Sequence, residues 1–150
     1  YNKIGILNYY HRYEMLKLLV KDFNNIIISN IEENKEFSGT INSLDLLSKT
    51  YDSLHLVIGM DQFLEIETWI NYKELLNKYS LIVINRDSDE KEVSVYKNKY
   101  KDFKITYLDL NISSKSSEFR KDPNLNKEMI TTEVYEYIQK NKLYRGETNV

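Results

Sequence analysis

The sequence predicts an α/β fold: a doubly wound parallel sheet with helices on both faces. Three observations carry that prediction. Short apolar runs of strand length recur along the chain, amphipathic stretches of helical period separate them, and the alternation persists almost throughout. Such an order builds a parallel sheet, because each crossover between parallel strands is long enough to hold a helix.

Taken in order, Tyr1–Ile6 (YNKIGI) reads as a short strand, with Gly5 suited to the turn that follows. His11–Phe23 places Met15, Leu18, Leu19 and Phe23 on one face of a helix. Asn25–Asn30 contains three consecutive isoleucines, the pattern of a strand buried on both faces. After a polar loop at Glu32–Phe37, Ser38 or Thr40 is expected to cap a helix running through Leu46 and Leu47. Leu54–Ile58 reads as the next strand, leading into Gly59 and Asp61, and Tyr72–Lys78 as a helix with Leu75 and Leu76 inward. Leu81–Ile84 reads as a strand ending at Arg86, and the charged segment Asp87–Asp102 as a solvated excursion. Ile105–Leu110 is a further strand, followed by a serine-rich turn and a helix start. Thr132–Asn141 closes the series as a helix with Val134, Tyr137 and Ile138 facing in. With no repeat or low-complexity linker, residues 1–150 are expected to form one domain.

Composition narrows the function classes. A formal net charge of −2 supplies no basic field, so a nucleic-acid partner is not expected. The chain has no cysteine, which excludes disulfides, thiolate metal sites and cysteine nucleophiles from this stretch. Its longest apolar runs are too short to span a bilayer, so no membrane partner is expected, and without a visible signal peptide the expected location is cytoplasmic. Homo-oligomerisation is left open.

In an open parallel sheet, ligands bind beyond the carboxyl ends of the strands. Gly59-Met60-Asp61 falls there: glycine admits a ligand to the backbone, and Asp61 accepts ribose hydroxyls, holds a metal through water, or simply caps a helix. Ser113–Arg120 (SSKSSEFR) offers hydroxyls, helix-start N–H groups and an arginine to a phosphate, although serines also cap helices and arginines also cover surfaces. Trp69, the single tryptophan, either stacks on a flat ring or fills core, and Thr40 either bonds a ligand or caps. His55 reads as structural and His11 as a capping or surface residue. The residues by themselves therefore support a nucleotide-sized ligand on an α/β sheet.

The order of the motifs adds a family resemblance. HRYEML (His11–Leu16), FSGTINSL (Phe37–Leu44), LVIGMDQ (Leu56–Gln62), Trp69 before a leucine-rich helix, INRD (Ile84–Asp87), SSEFR (116–120) and ITTEVYEYIQKNKLY (Ile130–Tyr144) occur in that order. The chain in this respect resembles bacterial nicotinate-mononucleotide adenylyltransferases, whose corresponding stretches read approximately HRxxML, PSYTxDTL, IIGxD, KW, RPG, SSTxIR and VPxxVxxYIxxxxLY. The resemblance implies a Rossmann-like nucleotidyltransferase in NAD biosynthesis, transferring AMP from ATP to nicotinate mononucleotide, with Mg²⁺ entering alongside ATP. It implies that Gly59 and Asp61 meet the adenosine end and that Ser116, Ser117 and Arg120 hold the ATP phosphates. It further implies that Thr40 and Trp69 frame the pyridine ring.

Departures accompany the likeness. The family follows its first strand with a GGTFDPxHxGH-type loop whose histidines contact the phosphates; here Ile6 runs straight into Leu7, and no catalytic residue is visible. Removing a strand and its helix from the middle of a parallel sheet would unpair its neighbours, so we expect the segment to be left out of this sequence, which also opens without an initiator methionine, and not truly deleted. Gly39 stands where the family has Tyr, Asn42 where it has Asp, and Lys115 where it has Ser. The competing expectation is an inactive relative that binds a nucleotide or a protein. Adenylyl transfer to phosphopantetheine fits Trp69 and the closing helix less well. Base stacking by the thirteen tyrosines has no basic patch to accompany it.

Overall fold

The computed structural model describes residues 7–33, 38–86, 90–110, 119, 122 and 127–144. The chain divides into two compact units, one of residues 30–113 and one combining residues 1–29 with 114–150.

Residues 30–113 are built around three strands, β1 (His55–Gly59), β2 (Ser80–Asn85) and β3 (Ile105–Asp109), parallel and in the order β1-β2-β3. The register places Leu56 beside Leu81 and Leu81 beside Ile105; two residues on, Ile58, Val83 and Tyr107 form a second row. Because side chains alternate along a strand, both rows lie on one face of the sheet. Leu81 and Val83 on that face are fully buried, whereas Val57 and Leu108 on the other are 53% and 43% exposed.

Helices fill the crossovers. The connection from β1 to β2 holds α3 (Met60–Leu64), a 3₁₀ turn at Ile66–Thr68 and α4 (Tyr72–Lys78); that from β2 to β3 holds α5 (Glu90–Lys99). Ahead of β1 lies α2 (Thr40–Leu47). Their apolar residues join the sheet in one core containing Ile41, Leu44, Met60, Phe63, Leu75 and Val93. At its centre is Phe63, wholly buried, with the rings of Tyr96, Tyr100 and Tyr107 set edge-on at 5.3–6.1 Å. Edge-to-face geometry directs the positive rim of one ring at the negative face of another, so these contacts add to simple burial.

The other unit pairs α1 (Tyr9–Val20) with α6 (Thr132–Lys140). Asn8 caps α1 by accepting from the His11 backbone N–H, and Thr131 caps α6 by accepting from Val134 N–H. Val134 and Ile138 are buried with Leu7, Phe119 and Leu143, while Met15 and Leu18 of α1 and Tyr137 pack against them partly covered. A 2.9 Å hydrogen bond joins the His11 ring to the Tyr137 hydroxyl. Leu19 and Phe23, expected on the inner face of α1, are instead 42% and 55% exposed; Phe23 lies beyond the helix end.

Three expectations are corrected. Asn25–Asn30 is not a strand: Ile26 and Ile27 are 45% and 78% exposed in irregular backbone, because no neighbouring strand among the described residues offers them a ladder. The segment Asp87–Asp102 is not wholly a solvated excursion, since Glu90–Lys99 form α5 and bury Val93 with Tyr100 just beyond. Val93, Tyr96 and Tyr100 recur at helical spacing, a weak apolar stripe hidden among charges. Thr40 also does not cap its helix; Gly39 occupies that position and Thr40 is the first helical residue. The expected strand Tyr1–Ile6 lies outside the described residues, as does most of the serine-rich segment.

Truncating Phe63 to alanine should remove the aromatic centre and cost about 3–5 kcal/mol. Urea denaturation would register this as a lower midpoint; a loss comparable to that of an exposed residue would refute the assignment of Phe63 as the core's hub.

Candidate active site

The register ends all three strands at one edge: Gly59 pairs with Ile84, and Asn85, one residue further, with Asp109. Gly59 is the residue from which α3 starts, and Asp61 stands in the first turn of that helix. A Cβ built on Gly59 would lie 2.3 Å from Asp61 Oδ1, so the carboxylate folds back over the bare Cα. No hydrogen-bond or ion-pair partner to Asp61 occurs among the described residues, and its side chain is exposed. The carboxylate is thus presented at the carboxyl end of β1, where it can accept hydroxyl hydrogens.

Beside it, the Asn85 amide donates to Asp109 Oδ1 at 2.9 Å, and Leu110 N–H donates to the Asn85 carbonyl at 2.9 Å, tying the last residues of β2 and β3. An open cavity of about 330 Å³ adjoins this pair, lined by Asn85, Glu90, Val93, Ser94, Lys97 and Asp109. Lys97 also lies 5.0 Å from the centre of the Tyr107 ring, and burial pushes the Tyr107 phenol up. Asn85 and Asp109 had not been singled out in the sequence. Their signal was available: each is the polar residue that ends an apolar run, LIVIN and ITYLD.

A second locus joins α2 to the turn before α4. Gly39 is buried, with φ +101° and ψ 150°, a region open to glycine alone. A Cβ there would lie 2.9 Å from the Ile70 Cβ. Thr40 follows Gly39 and Trp69 precedes Ile70, so the two residues assigned to one site stand one position to either side of this close approach. Trp69 packs partly buried against the core, and its indole N–H is buried without a partner among the described residues. Gly39 therefore has a backbone reason for standing at this position. Asn42 has one as well: its amide donates to the Ser38 carbonyl, a bond a carboxylate could not make.

An ionic clamp fixes α2 against the end of α4. Lys78 Nζ donates to Asp45 Oδ1 at 2.7 Å, and the Tyr79 hydroxyl donates to the same oxygen. The lysine bond first and the tyrosine bond second hold the Asp45 carboxyl below its ordinary value of 3.8. Burial, with Asp45 adding to it, raises the Tyr79 phenol.

Ser116, Ser117 and Arg120 lie outside the described residues. Among the described residues no cluster of three or more His, Asp or Glu could hold a metal ion. No described helix is long and apolar enough to cross a membrane. His11 and His55 belong to different units, and His55 is exposed at the start of β1.

A parallel sheet with crossover helices and polar residues at its carboxyl end places the chain among the α/β proteins whose fold gathers ligands at that end. A sequence profile of the cytidylyltransferase-like family matches residues 2–135, and the chain belongs to that family of nucleotidyltransferases. Its relatives are more particular still. A probable nicotinate-nucleotide adenylyltransferase of Acholeplasma laidlawii is 34% identical over 145 residues, covering 95% of this chain and 74% of the relative. One from Carboxydothermus hydrogenoformans is 33% identical, covering 97% of this chain and 78% of the relative. The fold matches the Plasmodium falciparum nicotinic acid mononucleotide adenylyltransferase complexed with NaAD at a TM-score of 0.72, with 22% identity over 96% of this chain and 78% of that one. The likeness confirms the Rossmann-like α/β fold expected from the alternation of elements.

The Asp45 clamp makes a pH-dependent prediction. A folded-state pKa below the unfolded one contributes stability that is fully present above the unfolded value and is lost as pH falls through the folded value. Asp45→Asn should therefore lower the denaturation midpoint at about pH 7 and lose that effect as pH drops below 3.8. An equal deficit at both ends of the range would show that the clamp does not depend on the carboxylate's charge.

Proposed function

We propose that the chain is a nicotinate-nucleotide adenylyltransferase, transferring AMP from ATP to nicotinate mononucleotide and releasing pyrophosphate with deamido-NAD. The observation that carries the reading is that the Gly59–Asp61 corner and the Thr40–Trp69 locus occur in one compact unit of a chain that matches adenylyltransferases over nearly its whole length. A phosphate oxygen of the mononucleotide attacks the α-phosphorus of ATP; the P–O bond to the β-phosphate breaks and the electron pair leaves with pyrophosphate. No covalent enzyme intermediate is needed, so the protein acts by positioning two substrates in line and balancing charge.

On this reading Asp61 accepts hydroxyls at the adenosine end, with Gly59 keeping the backbone open beside it. Thr40 and Trp69 frame the pyridine ring, the indole offering a flat face. Ser116, Ser117 and Arg120 hold the ATP phosphates. Mg²⁺ would enter as part of the substrate, held chiefly by the phosphate oxygens of ATP and by water. We take the histidine loop, expected between Ile6 and Leu7, to be left out of this sequence and not deleted from the protein. The sequence's departures at Gly39 and Asn42, which leaned toward an inactive relative, have structural reasons and lend that alternative no weight. We take the two units as parts of one nucleotidyltransferase domain working in the cytoplasm.

A pyrophosphate-release assay on the full-length protein, combined with its intact mass, tests the reaction. Turnover is expected only when ATP, Mg²⁺ and nicotinate mononucleotide are all present; its absence from a protein of full family length would overturn the proposal. Gly59→Ala adds a second test. The new methyl forces the Asp61 carboxylate aside, and KM for ATP should rise by roughly tenfold or more, while an unchanged KM would remove Asp61 from the adenosine site.

A further inference from the structure

We infer that Gly39 and Ile70 are positioning residues that set the spacing of Thr40 and Trp69, and so govern binding of the pyridine mononucleotide separately from that of ATP. The inference rests on the adenylyltransferase reading above. Trp69 to Tyr72 form a tight turn closed by a 3.2 Å hydrogen bond from Tyr72 N–H to the Trp69 carbonyl, with Asn71 left-handed at φ 53°. Ile70 is therefore the leading corner of a turn whose shape is fixed at both ends. Its Cβ, Cγ2 and Cδ1 lie 2.9, 3.3 and 3.6 Å from the place a side chain on Gly39 would occupy.

Gly39 in turn is not an adjustable backstop. It is buried and held in a conformation open only to glycine, immediately before the first turn of α2. The Asp45 clamp fixes the far part of that helix to Lys78 and Tyr79 at the end of α4. Two rigid pieces thus meet at one apolar contact, and the residues next to that contact on either side are Thr40 and Trp69. Ile70 itself is 50% exposed, so core stability depends on it little, whereas the seating of the turn depends on it directly.

Ile70→Ala removes the branches that fill the space beside Gly39 and keeps the Cβ; Ile70→Val removes less. Calorimetric titration of the full-length protein with nicotinate mononucleotide and with ATP, each alone, separates the two ends of the site. We expect Ile70→Ala to raise Kd for the mononucleotide about tenfold, Ile70→Val to fall between it and the parent, and Kd for ATP to stay within about twofold. The melting midpoint of both variants should stay close to the parent's, and Trp69 emission should report the loosened turn. Variants that bind the mononucleotide as tightly as the parent, or that lose both nucleotides equally, would overturn the inference while leaving the adenylyltransferase reading intact. A parent that binds ATP but not the mononucleotide would overturn both. Should Ile70→Ala fail to fold, Ile70→Val carries the same comparison.

Discussion

The in-register parallel pairing of β1, β2 and β3 is the constraint on which the rest of the larger unit depends. It lines up Leu56, Leu81 and Ile105, then Ile58, Val83 and Tyr107, as two apolar rows on one face. Slipping a strand by one residue would turn its apolar set to the opposite face, so burial specifies the register. Once the register is set, the strands end together, and Gly59, Asn85 and Asp109 are delivered to a common edge. The polar make-up of that edge follows from a packing requirement on the apolar rows behind it.

Sequence periodicity showed the elements whose pattern was local. α4 has the bounds expected of it, and β1, β2 and β3 begin or end within a residue of their expected positions. The failures share a physical cause, which is that burial is decided by partners the sequence does not name. Ile26 and Ile27 look like a buried strand, but apolarity alone does not supply a ladder. Val93 and Tyr100 are buried although charged residues surround them in sequence, because α5 needs only a narrow stripe to cover Tyr107 and Phe63.

The site was legible in the same uneven way. Gly59 and Asp61 could be placed because a glycine ending an apolar run is a local signal. Trp69 and Thr40 could be named but not joined, since their proximity depends on Gly39 meeting Ile70, a contact between residues thirty-one positions apart. Gly39 and Asn42 looked like erosion when compared with a motif. In three dimensions the first is required by backbone conformation and the second donates to Ser38. A departure from a motif thus separates into loss and adaptation only when the neighbouring residues are known.

The left-turning backbone at Gly39 also bears on how such a site can change over generations. In this backbone, any codon change that gives position 39 a side chain meets both a forbidden torsion and an occupied volume, so position 39 resists gradual drift unless the turn at Ile70 moves with it. Ile70, half in solvent and one methyl group from valine, is open to it. Divergence at this contact would then accumulate on the turn and not on the helix it rests against. Natural variants should be sought on that side of the contact.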